Sequence, residues 1–456
     1  MSTSTEAPQK GEVLAEGKTK VILTVPGSDT FVDLQAKPDI TAGDGAQHDI
    51  MEGKAALATR TTCSVFQLLK DCGLPVAYEK QIDAITFRAR KCTMLKYEVV
   101  IRREAHGSYL ERCPHIPKGT YFPKLILEFF AKTEGRKWRE QEIPMDDPLL
   151  AFTDTEVQFF VPHFTQAQRD ESAKTGHRGY LVGQRPFLSV PKNGFFTLDN
   201  EAMLLGQMGE IAKKVFFVLE KAWQLLGRRL ADFKLEFGLD AEGNLVLADV
   251  VDNDSWRILK DGKYQDKQLY RDGAPIAEVL EKYALAAALS DRFGLPKQGL
   301  FIWSGSKNDD VTLIQKALED YLGPESKRVA AGLRTLIFHA RSAHKQPMTA
   351  IPELDAFLQE TPNSVVIANI GPSDGAGPTF SANTTCPVVA IPATIDKHPE
   401  DIWSSVNLPS DVPLTVARKP ANAVLAALNM LSANNPYLYM VLRSRIEERT
   451  VNMIRV

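Results

Sequence analysis

A chain of 456 residues, 44 % hydrophobic and 24 % charged, has the length of roughly two to four soluble domains with real cores. Its net charge of −3 and pI near 6.3 exclude a global pull toward nucleic acid or anionic membrane, so phosphate binding must be local. No apolar run is long enough to span a bilayer.

The first stretch, "MSTSTEAPQKGE", is small and polar without an apolar h-region and reads as a frayed start. "EVLAEGKTKVILTV" then reads as two strands about a glycine turn. It fails as a P-loop: Gly11 and Gly17 are separated by five residues where that motif needs four, and a strand follows where a helix should. What survives is Lys18 and Lys20 on one face of the second strand, either a flap over phosphates or a solvated hairpin. After the strand "TFVDLQA", the loop "PDITAGDGAQHDIMEGKAAL" precedes a helix at about 53–72. Asp39, Thr41, Asp44 and two glycines there suit an anion at a helix N-terminus, or simply a capped loop. "ITFRARK" and "YEVVIRREAHGSYLER" are further strands. In the latter Val100 and Arg102 face one way and Val99, Ile101 and Arg103 the other, before Gly107-Ser108 breaks the pattern; an arginine and a hydroxyl at a strand end suit a phosphate or carboxylate, or a solvated edge. Residues 164–197 are polar and read as a surface insertion, and a helix follows at about 203–225.

"KLEFGLDAEGNLVLADVVDNDSWR" reads as a hairpin. A four-residue loop at Ala241-Glu242-Gly243-Asn244 pairs Asp240 with Leu245 and so sets Glu236 opposite Asp249. Like charges so placed repel. A divalent cation between them removes the repulsion, and Mg²⁺ takes one or two carboxylates plus substrate phosphates. Lys234 shares that face, and Asp254 and Arg257 lie just past the second strand. The alternative is that both carboxylates relax into water.

From about residue 273 the organisation changes. "GAPIAEVLEKYALAAALSDRFGLPKQ" reads as a helical connector over 273–297, closed by Gly294 and Pro296. Beyond it "GLFIWSGS", "LRTLIFHARSAH", "NSVVIANIG" and "CPVVAIPA" are apolar strands alternating with helices, the signature of a parallel sheet with crossovers. Five cysteines (63, 72, 92, 113, 386) form no CxxC pair and are odd in number, which fits a reducing compartment, the cytoplasm by default.

"EGKTK", "DITAGDG…EGKAAL", "VVIRREAHGS", "KLEFG", "LADVVDNDSWR" and "DKQLYRD" occur in an order and spacing that resembles SAICAR synthetase of purine biosynthesis, over residues 10–272. The second half resembles class II aminoimidazole ribonucleotide (AIR) carboxylase through "GSKNDD", "SAHK", "SDGAGPTFSANTTCPV" and "DIWSSVNLPS". The chain thus looks like the animal-type bifunctional fusion. The resemblance implies an α+β, ATP-grasp-like domain over 1–272 and an α/β three-layer, flavodoxin-like parallel-sheet domain over 298–456. It implies ligation of L-aspartate to carboxyaminoimidazole ribonucleotide (CAIR) at the expense of ATP, giving SAICAR, ADP and phosphate. Lys18 and Lys20 are then expected along the ATP phosphates and Glu236 and Asp249 on Mg²⁺. Arg102, Ser108, Lys234, Asp254, Arg257 and Arg271 are expected on CAIR, with Lys234 also near the chemistry, and Asp39 and Thr41 on the acceptor side. An insertion at about 150–200 is longer than the family leads one to expect.

For the second half the resemblance implies CAIR formation from AIR and CO₂ without ATP or biotin. Ser306, Asp309, Ser342, Lys345, Ser373 and Gly375 are expected on AIR and His344 as the proton-transfer group, since an imidazole suits a ring carbon losing a proton near neutral pH. The motifs also depart from the animal pattern. Pro372 and Asp374 stand where Arg and Asn are expected, Asn407 and Asp411 where Arg and Gly are, and Asn308 where Ser is. Two readings follow: a working carboxylase, or a silent domain kept for assembly that leaves a monofunctional SAICAR synthetase. Expected partners are small molecules, with no nucleic acid and no membrane, in a homo-oligomer of eight chains.

Overall fold

The computed structural model describes residues 11–42, 47–165, 167–168, 170, 174, 185–339 and 341–451. The chain divides into two compact units, one built from spans 1–70, 74–293 and 446–456 and the other from 71–73 and 294–445.

The first unit is antiparallel. A five-stranded sheet runs in the order Val13–Glu16, Lys20–Val25, Ser28–Ala36, Thr86–Arg90, Tyr78–Gln81. A larger sheet places Tyr121–Ala131, Thr93–Glu104, Arg229–Leu239 and Trp256–Lys260 side by side. Its far edge is extended by Leu149–Phe152, Glu156–Phe160 and Leu188–Pro191. Leu188–Pro191 falls within the stretch 164–197 expected as a surface insertion, much of the rest of which (166, 169, 171–173 and 175–184) lies outside the described residues. The helix expected at 203–225 spans Glu201–Leu225 and covers one face of this sheet; the Phe216 and Phe233 rings stack with centroids 5.3 Å apart. That face is apolar because strand side chains alternate, which leaves the other face for polar groups. Arg103 obeys the same alternation, reaching Glu220 of the helix at 2.7 Å while Arg102 points the opposite way.

The helix expected as a connector spans Ile276–Ser290 and ends before Gly294. It does not stand apart as a linker. Val279 and Tyr283 are buried with Ile40, Met51 and Tyr270, so it completes the first unit's core. The physical reason is its apolar face, which has to be buried somewhere.

The second unit is a parallel sheet in the order Leu333–Phe338, Gln298–Ser304, Asn363–Ile370, Val388–Pro392, Thr415–Val416. Numbered along the unit, that is 2-1-3-4-5, the flavodoxin-like doubly wound order. Gln298–Ser304 is buried along its whole length, as a central parallel strand covered on both faces should be. Phe301 and Trp303 stack on Phe338 at 4.4 and 5.2 Å. The order reverses between Gln298–Ser304 and Asn363–Ile370, and ligands of such sheets bind at the carboxyl ends of the strands there.

Candidate active sites

The central hairpin of the first unit corrects the expected register. Asp240 accepts the backbone N–H groups of Glu242 and Asn244 at 3.1 and 2.9 Å, and Gly243 takes φ 80°. This side-chain-held turn adds one residue to the loop, so Leu239 pairs with Leu245 and Glu236 with Ala248. Glu236 and Asp249 are therefore not cross-strand partners. Asp249 falls just past the strand with φ 63°, a left-handed bend that returns its carboxylate to the site. Nor do the two carboxylates face each other bare. Lys132 reaches Glu236 at 2.6 Å, and Lys20 is in direct contact with Asp249.

Both carboxylates line a cleft of about 710 Å³ on the polar face of the large sheet. Lys18, Lys20, Thr41, Arg102, Ser108, Lys234, Asp254, Arg257 and Arg271 line the same cleft. Asp39 is not among the lining residues; its carboxylate is 2.8 Å from His48 Nε2 across the small hairpin of Asp39–Ala42 and Gln47–Ile50. Asp44 lies outside the described residues.

Register explains the convergence. Asp232 pairs with Arg102 on one side and Arg257 on the other, so three adjacent strands set Arg–Asp–Arg abreast on one face. Arg102 donates from Nη1 to Asp232 at 2.8 Å and from Nε to Glu128 at 2.7 Å. Arg257 donates from Nη1 to both Asp232 oxygens at 3.0 and 2.8 Å, and from Nε to Gln268 at 3.2 Å. Two planar forks are held by a shared buried carboxylate, and among the described residues no hydrogen bond engages either Nη2. Such fixed forks suit phosphate or carboxylate. Gly107, at φ 57°, lets the loop before Ser108 lie against Arg257: a Cβ there would stand 2.3 Å from its Nη2. Two residues along its strand from Asp232, Lys234 donates to Glu98 of the neighbouring strand at 2.9 Å, whose carboxylate holds the ammonium charged well above its usual range against the opposing cost of burial. Burial pushes the Lys20 ammonium down to about 8, with Glu236 opposing.

Several cleft residues carried no role in the sequence reading. Lys54, first in helix Lys54–Asp71, is buried and donates to Asp254 at 3.0 Å. Lys267 is 3.5 Å from the same carboxylate, and the Tyr283 hydroxyl donates to it. Burial raises the Asp254 carboxyl, but Lys54 and Lys267 outweigh it and keep it ionised far below the usual range. Asp252 is pushed up to about 6, by burial first and then by Asp254. The signal for Lys54 was its place inside "EGKAAL"; Lys132 and Asp232 carried none beyond being charged residues in or beside apolar strands. Among the described residues there is no cluster of three or more His, Cys, Asp or Glu able to hold a metal by themselves.

In the second unit the expected residues gather at the switch point. Asp309 accepts the Ser306 N–H at 2.8 Å, and a Cβ on Gly371 would lie 2.8 Å from Asp309 Oδ1, so this carboxylate joins the loops after strands Gln298–Ser304 and Asn363–Ile370. Burial raises the Asp309 carboxyl. His344 lies against Gly375, where a Cβ would meet its Cβ and Cγ at 2.6 Å. Ser342 accepts the Lys345 N–H at 3.2 Å, and Ser373 takes φ 70°. The Asp374 carboxylate turns inward, accepting the Gly377 N–H at 2.8 Å and the Ser405 hydroxyl at 3.0 Å. It is a loop tie and not a free charge facing a ligand. Asp411, expected as Gly, takes φ 64°, a conformation Asp tolerates better than most residues.

The SAICAR synthetase family model matches residues 13–154 and 195–284, and the AIR carboxylase model residues 304–452; the gap at 155–194 coincides with the expected insertion. The chain is 33 % identical to a probable multifunctional protein ADE2 of Caenorhabditis elegans, over 95 % of this chain and 92 % of that protein. It is 31 % identical to a bifunctional phosphoribosylaminoimidazole carboxylase/phosphoribosylaminoimidazole succinocarboxamide synthetase of Drosophila melanogaster, over 97 % of this chain and 95 % of that protein. A phosphoribosylaminoimidazole-succinocarboxamide synthase of Chloroflexus aurantiacus is 36 % identical over 62 % of this chain and 98 % of its own length.

Proposed function

Because the chain belongs to the family of bifunctional enzymes that join a SAICAR synthetase to an AIR carboxylase, we propose that its antiparallel cleft is the ligase site and its sheet switch point the carboxylase site. The chain is an enzyme of purine biosynthesis, a ligase that couples L-aspartate to CAIR and a lyase-class AIR carboxylase. The observation that carries the site assignment is the convergence of Lys18, Lys20, Arg102, Lys234, Glu236, Asp249 and Arg257 on one cleft.

Arg102 and Arg257, preset by Asp232, grip the phosphate or carboxylate of CAIR, with Ser108, Asp254 and Arg271 around it. Lys18 and Lys20 lie along the ATP phosphates. The CAIR carboxylate oxygen attacks the γ-phosphorus and ADP leaves; the neutral aspartate amine then attacks the activated carbonyl carbon, phosphate departs, and the nitrogen releases one proton to solvent or the departing phosphate. Lys234, held charged, faces the anionic centre in both steps, which is where fixed positive charge lowers a barrier most. The carboxylates Glu236 and Asp249 suit Mg²⁺, a hard cation that takes one or two carboxylates with the rest of its shell from phosphates and water. Bound there it would neutralise charge on the transferring phosphoryl group. The acceptor amine approaches from the side of Thr41, with the Asp39–His48 pair shaping the neighbouring hairpin.

In the second unit AIR is held by Ser306, Asp309, Ser342, Lys345, Ser373 and the backbone at Gly375, and His344 moves the proton lost from the ring carbon as CO₂ adds. The inward turn of Asp374 supports a working site over a silent one. The protein is a cytoplasmic homo-oligomer of eight chains; the resemblance to the animal fusions supports the assembly, and unpaired Cys63, Cys72 and Cys386 support a reducing compartment. The test is a pair of assays on the purified protein. AIR with bicarbonate/CO₂ and no nucleotide should give CAIR, and CAIR with ATP, Mg²⁺ and aspartate should give SAICAR. Failure of the first alone would identify a monofunctional synthetase.

A further inference from the structure

The two carboxylates assigned to the metal are already occupied by cations of the chain. Lys132 Nζ is 2.6 Å from Glu236 Oε2, and Lys20 is in contact with Asp249. All four residues line the ligase cleft. Lys20 comes from the start of strand Lys20–Val25 and Lys132 from just past strand Tyr121–Ala131, so two separate elements deliver one ammonium to each carboxylate. Glu236 is largely buried, 10 % exposed, while Lys132 is 38 % exposed. The carboxylate is therefore fixed in the sheet, and the lysine is a flexible arm able to leave.

A metal ion arriving alone must displace or crowd these ammonium groups, which would then stand beside a divalent cation without their present carboxylate partners. Such like-charge crowding is unfavourable in a partly desolvated site. A nucleotide arriving alone brings phosphates to a cleft in which Lys20 and Lys132 are engaged by Asp249 and Glu236, carboxylates that also repel it. When both arrive, the partners exchange: the ammonium groups pass to the phosphates and the carboxylates to the metal. We propose that Lys132, together with Lys20, is a built-in counter-ion whose transfer from carboxylate to nucleotide phosphate couples metal and nucleotide binding in the ligase site. This rests on Glu236 and Asp249 being the metal carboxylates. Because Lys132 competes with the metal for Glu236 and offsets that carboxylate's repulsion of phosphate, it opposes metal binding to the nucleotide-free protein and favours nucleotide binding to the metal-free protein.

The opposite signs give the test. Mn²⁺ binding to the nucleotide-free full-length protein is titrated by electron paramagnetic resonance, and ADP binding in the presence of a chelator by calorimetry. Lys132→Met should tighten Mn²⁺ about tenfold, within the range of ordinary coupling energies, and weaken metal-free ADP. Glu236→Gln should weaken Mn²⁺ and, by freeing Lys132, tighten metal-free ADP. Lys132→Arg, which keeps the charge, should bind Mn²⁺ as the parent does and serves as the check that the position tolerates change. Mn²⁺ binding by Lys132→Met that equals or falls below the parent's overturns the exchange, even where Glu236→Gln loses Mn²⁺ as expected. Parent-like Mn²⁺ affinity in Glu236→Gln overturns instead the metal assignment on which it rests.

Discussion

Gly107→Ala tests how the CAIR side of the cleft is built. Gly107 has φ 57° and ψ −136°, a region in which an L side chain costs about 1–3 kcal/mol. The added Cβ would sit 2.3 Å from Nη2, 2.9 Å from Cζ and 3.2 Å from Nη1 of Arg257, so the guanidinium has to move by about an ångström to regain van der Waals contact near 3.5 Å. A free arginine would swing aside at little cost. This one is tied to Asp232 through Nη1 and to Gln268 through Nε, so moving it breaks the register that presents its Nη2. A hydrogen bond to a charged group contributes about 1.5–3 kcal/mol, which corresponds to a rise in the CAIR KM of roughly ten- to hundredfold. Unfolding in urea should show a stability loss of about 1–3 kcal/mol from the backbone term. Steady-state SAICAR formation with CAIR varied at saturating ATP, then ATP varied at saturating CAIR, separates the two substrates. A folded variant with the parent's CAIR KM, or one in which both KM values rise equally, refutes the assignment of Arg257 to CAIR.

Glu236→Ala or Asp249→Ala should abolish Mg²⁺-dependent SAICAR formation, because a small cation with few protein ligands tolerates the loss of none; near-normal turnover in both would refute the metal site. Since each carboxylate carries a lysine and they do not oppose each other, stability should fall slightly, by about 0–1 kcal/mol, and not rise. His344→Asn should remove AIR carboxylation by about 10²–10⁴-fold and spare the ligase; Gly375→Ala should do the same by displacing the imidazole, and normal carboxylation in either refutes its role. Asp266, wholly buried, is pushed up to about 7 by burial against an unfolded value of about 3.9. The folded state thus keeps a proton the unfolded chain has lost, so the Asp266 contribution to stability declines as pH rises from about 4 to 7, by an amount on the order of 4 kcal/mol. The unfolding free energy of the parent minus that of Asp266→Asn, measured in urea across pH 4–8, should fall over that window and level off above it; a flat difference refutes the shift.

Composition and alternation determined much of this protein without coordinates. Strand and helix periodicity separated an antiparallel first half from a parallel second half, because a strand buried on both faces must read as a continuous apolar run. Alternation along "YEVVIRREA" sent Arg102 and Arg103 to opposite faces, and the ordered motifs named residues that do converge on one cleft. Tertiary structure decided what local pattern cannot carry. The hairpin register turned on Asp240 accepting two backbone N–H groups, and one added loop residue moved Glu236 away from Asp249. Asp232 became the shared anchor of two arginines only because three strands, distant in sequence, pair at that residue. Lys132 met Glu236 for the same reason. The helix Ile276–Ser290 read as a connector because its sequence neighbours change character around it, whereas its apolar face had a partner surface on residues 40, 51 and 270. Local propensity and spacing fix which residue types face together along one element; which charges meet across elements depends on long-range register and packing.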